Sequence, residues 1–227
     1  MRWSVFWFAV AGTAPFAAVA QVGALQTDCR LGGPQHSGGY QFVATCAGRA
    51  KSPDGRFAIV QKAYDAVQPA IEFRDRRGRL LHTLRSLSDD MTFSVFWAPN
   101  SHWFFVNHHI GSFMDTLQVF QIVRGEAIER KALPRAAAAM AAARYPCLYP
   151  RMVNPSGLRW SRNSQRIVIW TVSRPDACGT FARSSGRWHS LWMIGAVDTG
   201  QIERSSLRVQ LDDQAPKMPA KGPYARL

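Results

Sequence analysis

The residues most able to do chemistry here are histidines, because an imidazole titrates near neutral pH and is a common metal ligand. His108 and His109 are adjacent, with His102 upstream and Asp115 downstream. On a strand, neighbouring side chains point to opposite faces, so His108 and His109 cannot easily hold one ion. His102 and His108 share parity and could lie on one face, with Asp115 across a turn. That is the set a hydrolase or metalloprotein would use. Histidines that only pack or face solvent need no such role. No G-x-S-x-G nucleophile elbow occurs. Gly32-Gly33 and Gly38-Gly39 flank a polar loop rather than opening a helix, so they do not read as a phosphate loop. Asp89-Asp90 and Asp212-Asp213 read as solvated loop neighbours. No catalytic, cofactor-binding or metal residue is therefore assigned, and no cofactor is expected.

Arginine is the second candidate chemistry. Arg74, Arg76, Arg77 and Arg79, with Arg85 nearby, surround a turn marked by Gly78. Guanidinium groups grip phosphate or carboxylate through two parallel hydrogen bonds. These four are the candidate anion-binding residues. A solvated basic turn would look the same. The whole chain carries 28 Lys and Arg against 15 Asp and Glu, for a formal charge of +13. Such a charge attracts polyanions such as lipopolysaccharide or acidic polysaccharide. Arg187-Trp188-His189 could stack a base, but no nucleic-acid module is recognisable, so nucleic acid is not the expected partner.

The four cysteines are Cys29, Cys46, Cys147 and Cys178. They lack the close C-x-x-C spacing of a zinc site. An even number in an oxidising compartment predicts two disulfides. The expected pairs are Cys29–Cys46 and Cys147–Cys178, each closing a local stretch without strong pattern of its own. The compartment is read from the first twenty residues. Met1-Arg2 is a positive start, Trp3 to Ala20 is uncharged and mostly apolar, and Ala18-Val19-Ala20 offers small residues at a cleavage site. This pattern predicts a secretory signal peptide over residues 1–20 and a periplasmic or secreted product. No second apolar run approaches a membrane span. Residues 21–214 are long enough for one domain with a substantial core and leave little room for two. The tail 215–227, with Pro216, Pro219, Gly222 and Pro223, reads as irregular and mobile.

The elements that must position these residues come from an internal repeat. Lys51-Ser52-Pro53-Asp54-Gly55 runs into Phe57-Ala58-Ile59-Val60. Trp97-Ala98-Pro99-Asn100-Ser101 runs into Trp103-Phe104-Phe105-Val106. Trp160-Ser161-Arg162-Asn163-Ser164 runs into Ile167-Val168-Ile169-Trp170. In each, Pro or its replacement starts a turn, Asp or Asn bonds its own main chain, and Gly or Ser completes the reversal. The apolar runs that follow read as strands buried on both faces. A second strand follows in each unit: 70–73, 117–122 and 191–194. After a further turn comes a third: 80–84, 127–131 and 201–207. The blade-like units span 51–85, 97–131 and 160–211. A short Ala-rich helix is expected from Pro134 to Ala143, with Pro146 and Pro150 ending it. Residues 174–189 read as a loop inserted in the third unit. The tryptophans sit mostly at repeat positions and read as core.

These openings resemble the W-S-P-D-G signature of TolB-like β-propeller repeats, in three imperfect copies. Lys51 stands where that pattern has Trp, Arg162 where it has Pro, and the copies are spaced unequally. The resemblance implies an all-β fold of antiparallel meanders resembling propeller blades, as a partial or open propeller with one short Ala-rich helix. Three units do not close a ring. A fourth blade could be assembled around the strand-like Tyr40 to Ala44. The alternative fold is an irregular β-sandwich. TolB-like blades serve docking, scaffolding and gating, and with the signal-like start, the repeats and the missing catalytic motif the expected function is an exported, non-catalytic binding or scaffolding protein with a protein partner in the bacterial envelope. The alternatives are an anion-binding envelope protein, or a hydrolase or metalloprotein using His102 and His108.

Overall fold

A computed structural model describes residues 40–42, 48–61, 71–84, 93–109, 115–144, 155–173, 188–210 and 222–224. The four cysteines, Arg85, Asp89-Asp90, Pro146 and Pro150 lie outside these residues, as do the expected signal peptide and both expected disulfides.

The described chain is mostly β, in three antiparallel sheets with one helix. The first sheet holds β2 (Gly48–Lys51), β3 (Phe57–Gln61), β4 (Ile71–Asp75) and β5 (Leu80–Leu84), in that order. The second holds β1 (Tyr40–Phe42), β6 (Phe93–Trp97), β7 (Trp103–His109), β8 (Asp115–Val123) and β9 (Glu126–Glu129). The third holds β10 (Ser156–Trp160), β11 (Arg166–Ser173), β12 (Trp188–Ala196) and β13 (Ile202–Gln210). The helix α1 (Ala132–Arg144) lies in sequence between the second and third sheets. Each sheet is an open meander, as the blade pattern predicts. Each holds a strand that the sequence pattern does not mark, because the segment before the repeated turn also pairs: β2, β6 and β10.

Two sequence expectations are corrected. Tyr40–Phe42 does not seed a fourth blade. It pairs antiparallel with β6, with Tyr40 opposite Val95, and becomes the fifth strand of the second sheet. Trp188 and His189 are not loop residues. They open β12, opposite Gln210 and Val209 of β13. The loop segment ends earlier because β11 and β12 are a long hairpin whose register runs out to Ser173 and His189.

The sheets stack face on face because the second sheet is apolar on both sides and each neighbour turns an apolar face to it. Phe104, Val106 and Phe120 of the second sheet face the first, where they meet Ile59, Ile71 and Phe73. Phe105, Leu117 and Val119 face the third, where they meet Trp160, Ile167, Ile169 and Met193. Ring stacking runs through the first interface: Phe73 to Phe104 at 6.0 Å and Phe104 to Phe120 at 4.8 Å between centroids. Such pairs contribute about 0.5–1.5 kcal/mol each beyond the area they bury. The helix packs Leu133, Ala137 and Ala141 into the second interface. It accounts for much of the wider spacing between the second and third repeats.

Candidate functional site

The repeated turns are held together across the sheets. In all three, the backbone N–H of the residue after the Trp or Lys position donates to the carbonyl that opens the next strand: Ser52 to Phe57, Ala98 to Trp103 and Ser161 to Arg166, each at 2.9 Å. Gly55, Ser101 and Ser164 then sit at positive φ (69°, 60° and 63°). Glycine adopts this region freely, whereas a serine is strained there. The strain is offset by a hydrogen bond to the neighbouring sheet. Asp54 N–H donates to Ser101 Oγ, and Asn100 N–H donates to Ser164 Oγ, both at 3.0 Å. The tryptophans add a parallel set. Trp97 Nε1 donates to the Ala50 carbonyl at 3.2 Å, and Trp160 Nε1 to the Phe96 carbonyl at 2.8 Å. The result is one rigid row of turns, Pro53-Asp54, Pro99-Asn100 and Arg162-Asn163, along one edge of the stack.

The basic cluster is built on the β4–β5 hairpin. Asp75 begins a tight turn, Gly78 occupies positive φ (82°), and Gly78 N–H donates to the Asp75 carbonyl at 2.9 Å. An acidic residue at the start and glycine at the end is the chemistry this hairpin requires. The Asp75 carboxylate accepts the backbone N–H groups of Arg77 and Arg79, both at 2.9 Å, and the Arg79 guanidinium at 3.1 Å. Burial pushes its carboxyl up, but the N–H groups of Arg79 and Arg77 and the Arg79 side chain outweigh that and hold it below its ordinary 3.8.

The four predicted arginines do not act as one group. Arg74 turns to Glu72, with Nε–Oε2 and Nη2–Oε2 both at 2.6 Å, and donates to the Gly78 carbonyl. The hydrogen bond to Glu72 raises its already high pKa, so its charge is fully engaged within the sheet. Arg76, Arg77 and Arg79 remain together, and they line an open depression of about 510 Å³ with Asp75 and Arg56. Arg56 is the residue that sequence reasoning missed. It precedes β3, whose first residue Phe57 pairs with Asp75, so register brings it beside the hairpin. Arg56 pairs with Asp54 at 2.5 Å. Four guanidinium groups therefore face two carboxylates, and Arg76 and Arg77 have no acidic partner among the described residues. This arrangement suits a phosphate, sulfate or carboxylate approached from solvent, with an attraction that salt weakens.

The histidine set is separated by the fold. His102 lies in the turn before β7 and is exposed, while His108 lies within β7 and is buried. They do not share a strand face. Asp115 stands opposite His109 rather than His108, and His108 opposes Thr116. No group of three or more His, Cys, Asp or Glu residues gathers among the described residues. No helix there is long and apolar enough to cross a membrane. Among known proteins, no family model matches the chain and no curated protein matches its sequence.

Proposed function

We propose that this chain is an exported, non-catalytic binding or scaffolding protein of the bacterial envelope, built on TolB-like blades. The tied row of turns carries the reading. Blades that share hydrogen bonds at every turn present a fixed edge, and fixed edges bind with little ordering cost. The signal-like residues 1–20 support export. The test replaces the exposed turn residues Pro53, Pro99 and Arg162 by Glu and measures capture of solubilised envelope components on the immobilised protein. Saturable capture by the wild type, lost in the triple variant, is expected. Equal capture by both, or robust turnover on a hydrolase panel, overturns the reading.

A second reading is favoured by one observation, the depression formed by Arg56, Arg76, Arg77 and Arg79. It makes the ligand an anion, such as the phosphates of lipopolysaccharide. Arg76→Ser with Arg77→Ser should elute from heparin resin at clearly lower salt than the wild type. An unchanged elution position removes this site.

A further inference from the structure

The two ends of the stack are chemically different. The outer face of the first sheet sets Arg49, Lys51, Glu72 and Arg74 around Ala58 and Val60. The outer face of the third carries Leu158, Val168, Trp170, Trp192 and Ile194, gathered around Tyr224. Tyr224 lies in the stretch the sequence reads as an irregular tail, and it packs against this sheet. Tyr224 is only 2% exposed. Its ring meets Trp192 edge-on at 5.6 Å, its hydroxyl donates to the Trp192 carbonyl at 3.2 Å, and it lies 2.9 Å from Ser206 Oγ. The Arg159 guanidinium donates to the Tyr224 carbonyl. The Arg208 guanidinium lies 5.1 Å from the Trp192 ring and 5.8 Å from that of Tyr224.

This contact is incomplete, and the missing partners are all of one kind. Trp170 Nε1, Trp192 Nε1 and Arg159 Nε are buried with no hydrogen-bond acceptor among the described residues. Trp170 and Trp192 are cross-strand partners, and Arg159 pairs with Val168 of the same cluster, so the three share one sheet face. Leaving buried donors unmet is costly, and an acceptor would remove that cost. Burial and the charge of Arg162 both push Arg159 below its ordinary value. Arg204 and Arg208 of β13 lie opposite Ile194 and Ser190. Neither has an acidic partner among the described residues. Arg166, at the end of β11, is already bound to Glu203 at 2.6 Å.

We propose that the outer face of the third sheet docks an acidic peptide segment bearing an aromatic side chain, and that Tyr224 occupies the aromatic socket until such a segment displaces it. The aromatic ring takes the place of Tyr224 against Trp192. Carboxylates and backbone carbonyls then meet the indole N–H groups, Arg159 and Arg208. This site is separate from the Arg76–Arg77 depression, so either can fail without the other.

The experiment uses the full chain and titrates its tryptophan fluorescence with a synthetic peptide of one tyrosine between pairs of glutamates. Two control peptides replace the glutamates by lysine or the tyrosine by alanine. Removing the intramolecular competitor with Tyr224→Ala should tighten binding by about tenfold, because the competent state becomes the populated one. Adding Arg159→Gln and Arg208→Gln to that variant should lose at least about tenfold, since two charge-assisted contacts disappear. Tyr224→Phe keeps the ring and loses both hydroxyl contacts. It should bind more tightly than the wild type and serves if Tyr224→Ala does not fold. Absence of saturable binding to a folded variant overturns the proposal. So does equal binding of either control peptide, or equal affinity of Tyr224→Phe and the wild type.

Discussion

Ser164 offers the sharpest test of how the sheets are joined. Its side chain is 2% exposed, its φ is 63°, and its Oγ accepts the Asn100 N–H from the neighbouring sheet at 3.0 Å. Ser164→Ala keeps the backbone strain and removes the acceptor. Leaving a part-buried N–H unmet should cost about 1–2 kcal/mol. Ser164→Gly removes the same acceptor but also relieves a left-handed conformation that costs a non-glycine residue roughly 1 kcal/mol. Its net cost should be about 0–1 kcal/mol, so glycine is better tolerated than alanine. Gly55 is the matching position of the first sheet, where φ is 69° and a Cβ would meet nothing within 4 Å. Gly55→Ala and Gly55→Ser should both lose roughly 1 kcal/mol through strain alone. Serine gains nothing there, because among the described residues no sheet stands before the first one to donate to its hydroxyl. Urea unfolding read at constant slope gives all four values. A Ser164→Gly variant no more stable than Ser164→Ala, or Gly55→Ser clearly more stable than Gly55→Ala, would falsify the offset between strain and hydrogen bond.

Three further outcomes follow from the same structure. Gly157→Ala places a Cβ 2.6 Å from the Phe105 ring, against backbone that Asn107 holds at 2.6 and 2.8 Å, so it should destabilise by about 1–3 kcal/mol in denaturant unfolding. Trp160→Phe keeps an aromatic ring but loses the N–H bond to the Phe96 carbonyl, which should lower stability by about 1–3 kcal/mol, with the unfolding midpoint moving and its slope unchanged. The Asp75 carboxyl is held below its unfolded value of 3.8, so its stabilising contribution is complete above that value and lost as pH falls through the lower folded one. Asp75→Asn should therefore flatten the acid-side fall in stability below about pH 4, and an unchanged acid limb would contradict the hydrogen bonds assigned to this carboxylate.

Much of this fold was legible because the repeated turns declare themselves. Pro99-Asn100-Ser101 and its relatives carry turn chemistry at fixed distance from strands such as Ile167 to Trp170, which are buried on both faces. The strands before the turns were harder to read. Gly48-Arg49-Ala50-Lys51 and Ser156-Gly157-Leu158-Arg159 contain glycine and arginine and no apolar run, so only pairing reveals them. The site was legible in part. The arginine cluster is obvious as a run, but Glu72 two residues before Arg74 removes that guanidinium, and Arg56 enters from another hairpin through register. Tyr224 gave no local signal. A single tyrosine among prolines and glycine looks like tail until Trp192 supplies the surface it covers.

The departures of the first repeat from the other two have a positional cause. Lys51 stands where the second and third copies have Trp97 and Trp160, and Gly55 stands where they have Ser101 and Ser164. Both inner-copy residues reach back to the sheet before them, Trp97 to Ala50 and Trp160 to Phe96, while Ser101 and Ser164 accept from Asp54 and Asn100. Among the described residues no sheet stands before the first one, so its turn has no carbonyl there for an indole to meet and no N–H for a hydroxyl to accept. An exposed tryptophan at position 51 would only add apolar surface, and a serine at position 55 would only add strain. Lysine and glycine answer both problems. The same logic makes the stack directional. Asn163 N–H and the Arg159 carbonyl occupy the positions that the earlier sheets use to engage the next one. A second copy could not continue the series, because its first sheet would offer Lys51 and Gly55 where Trp and Ser are required.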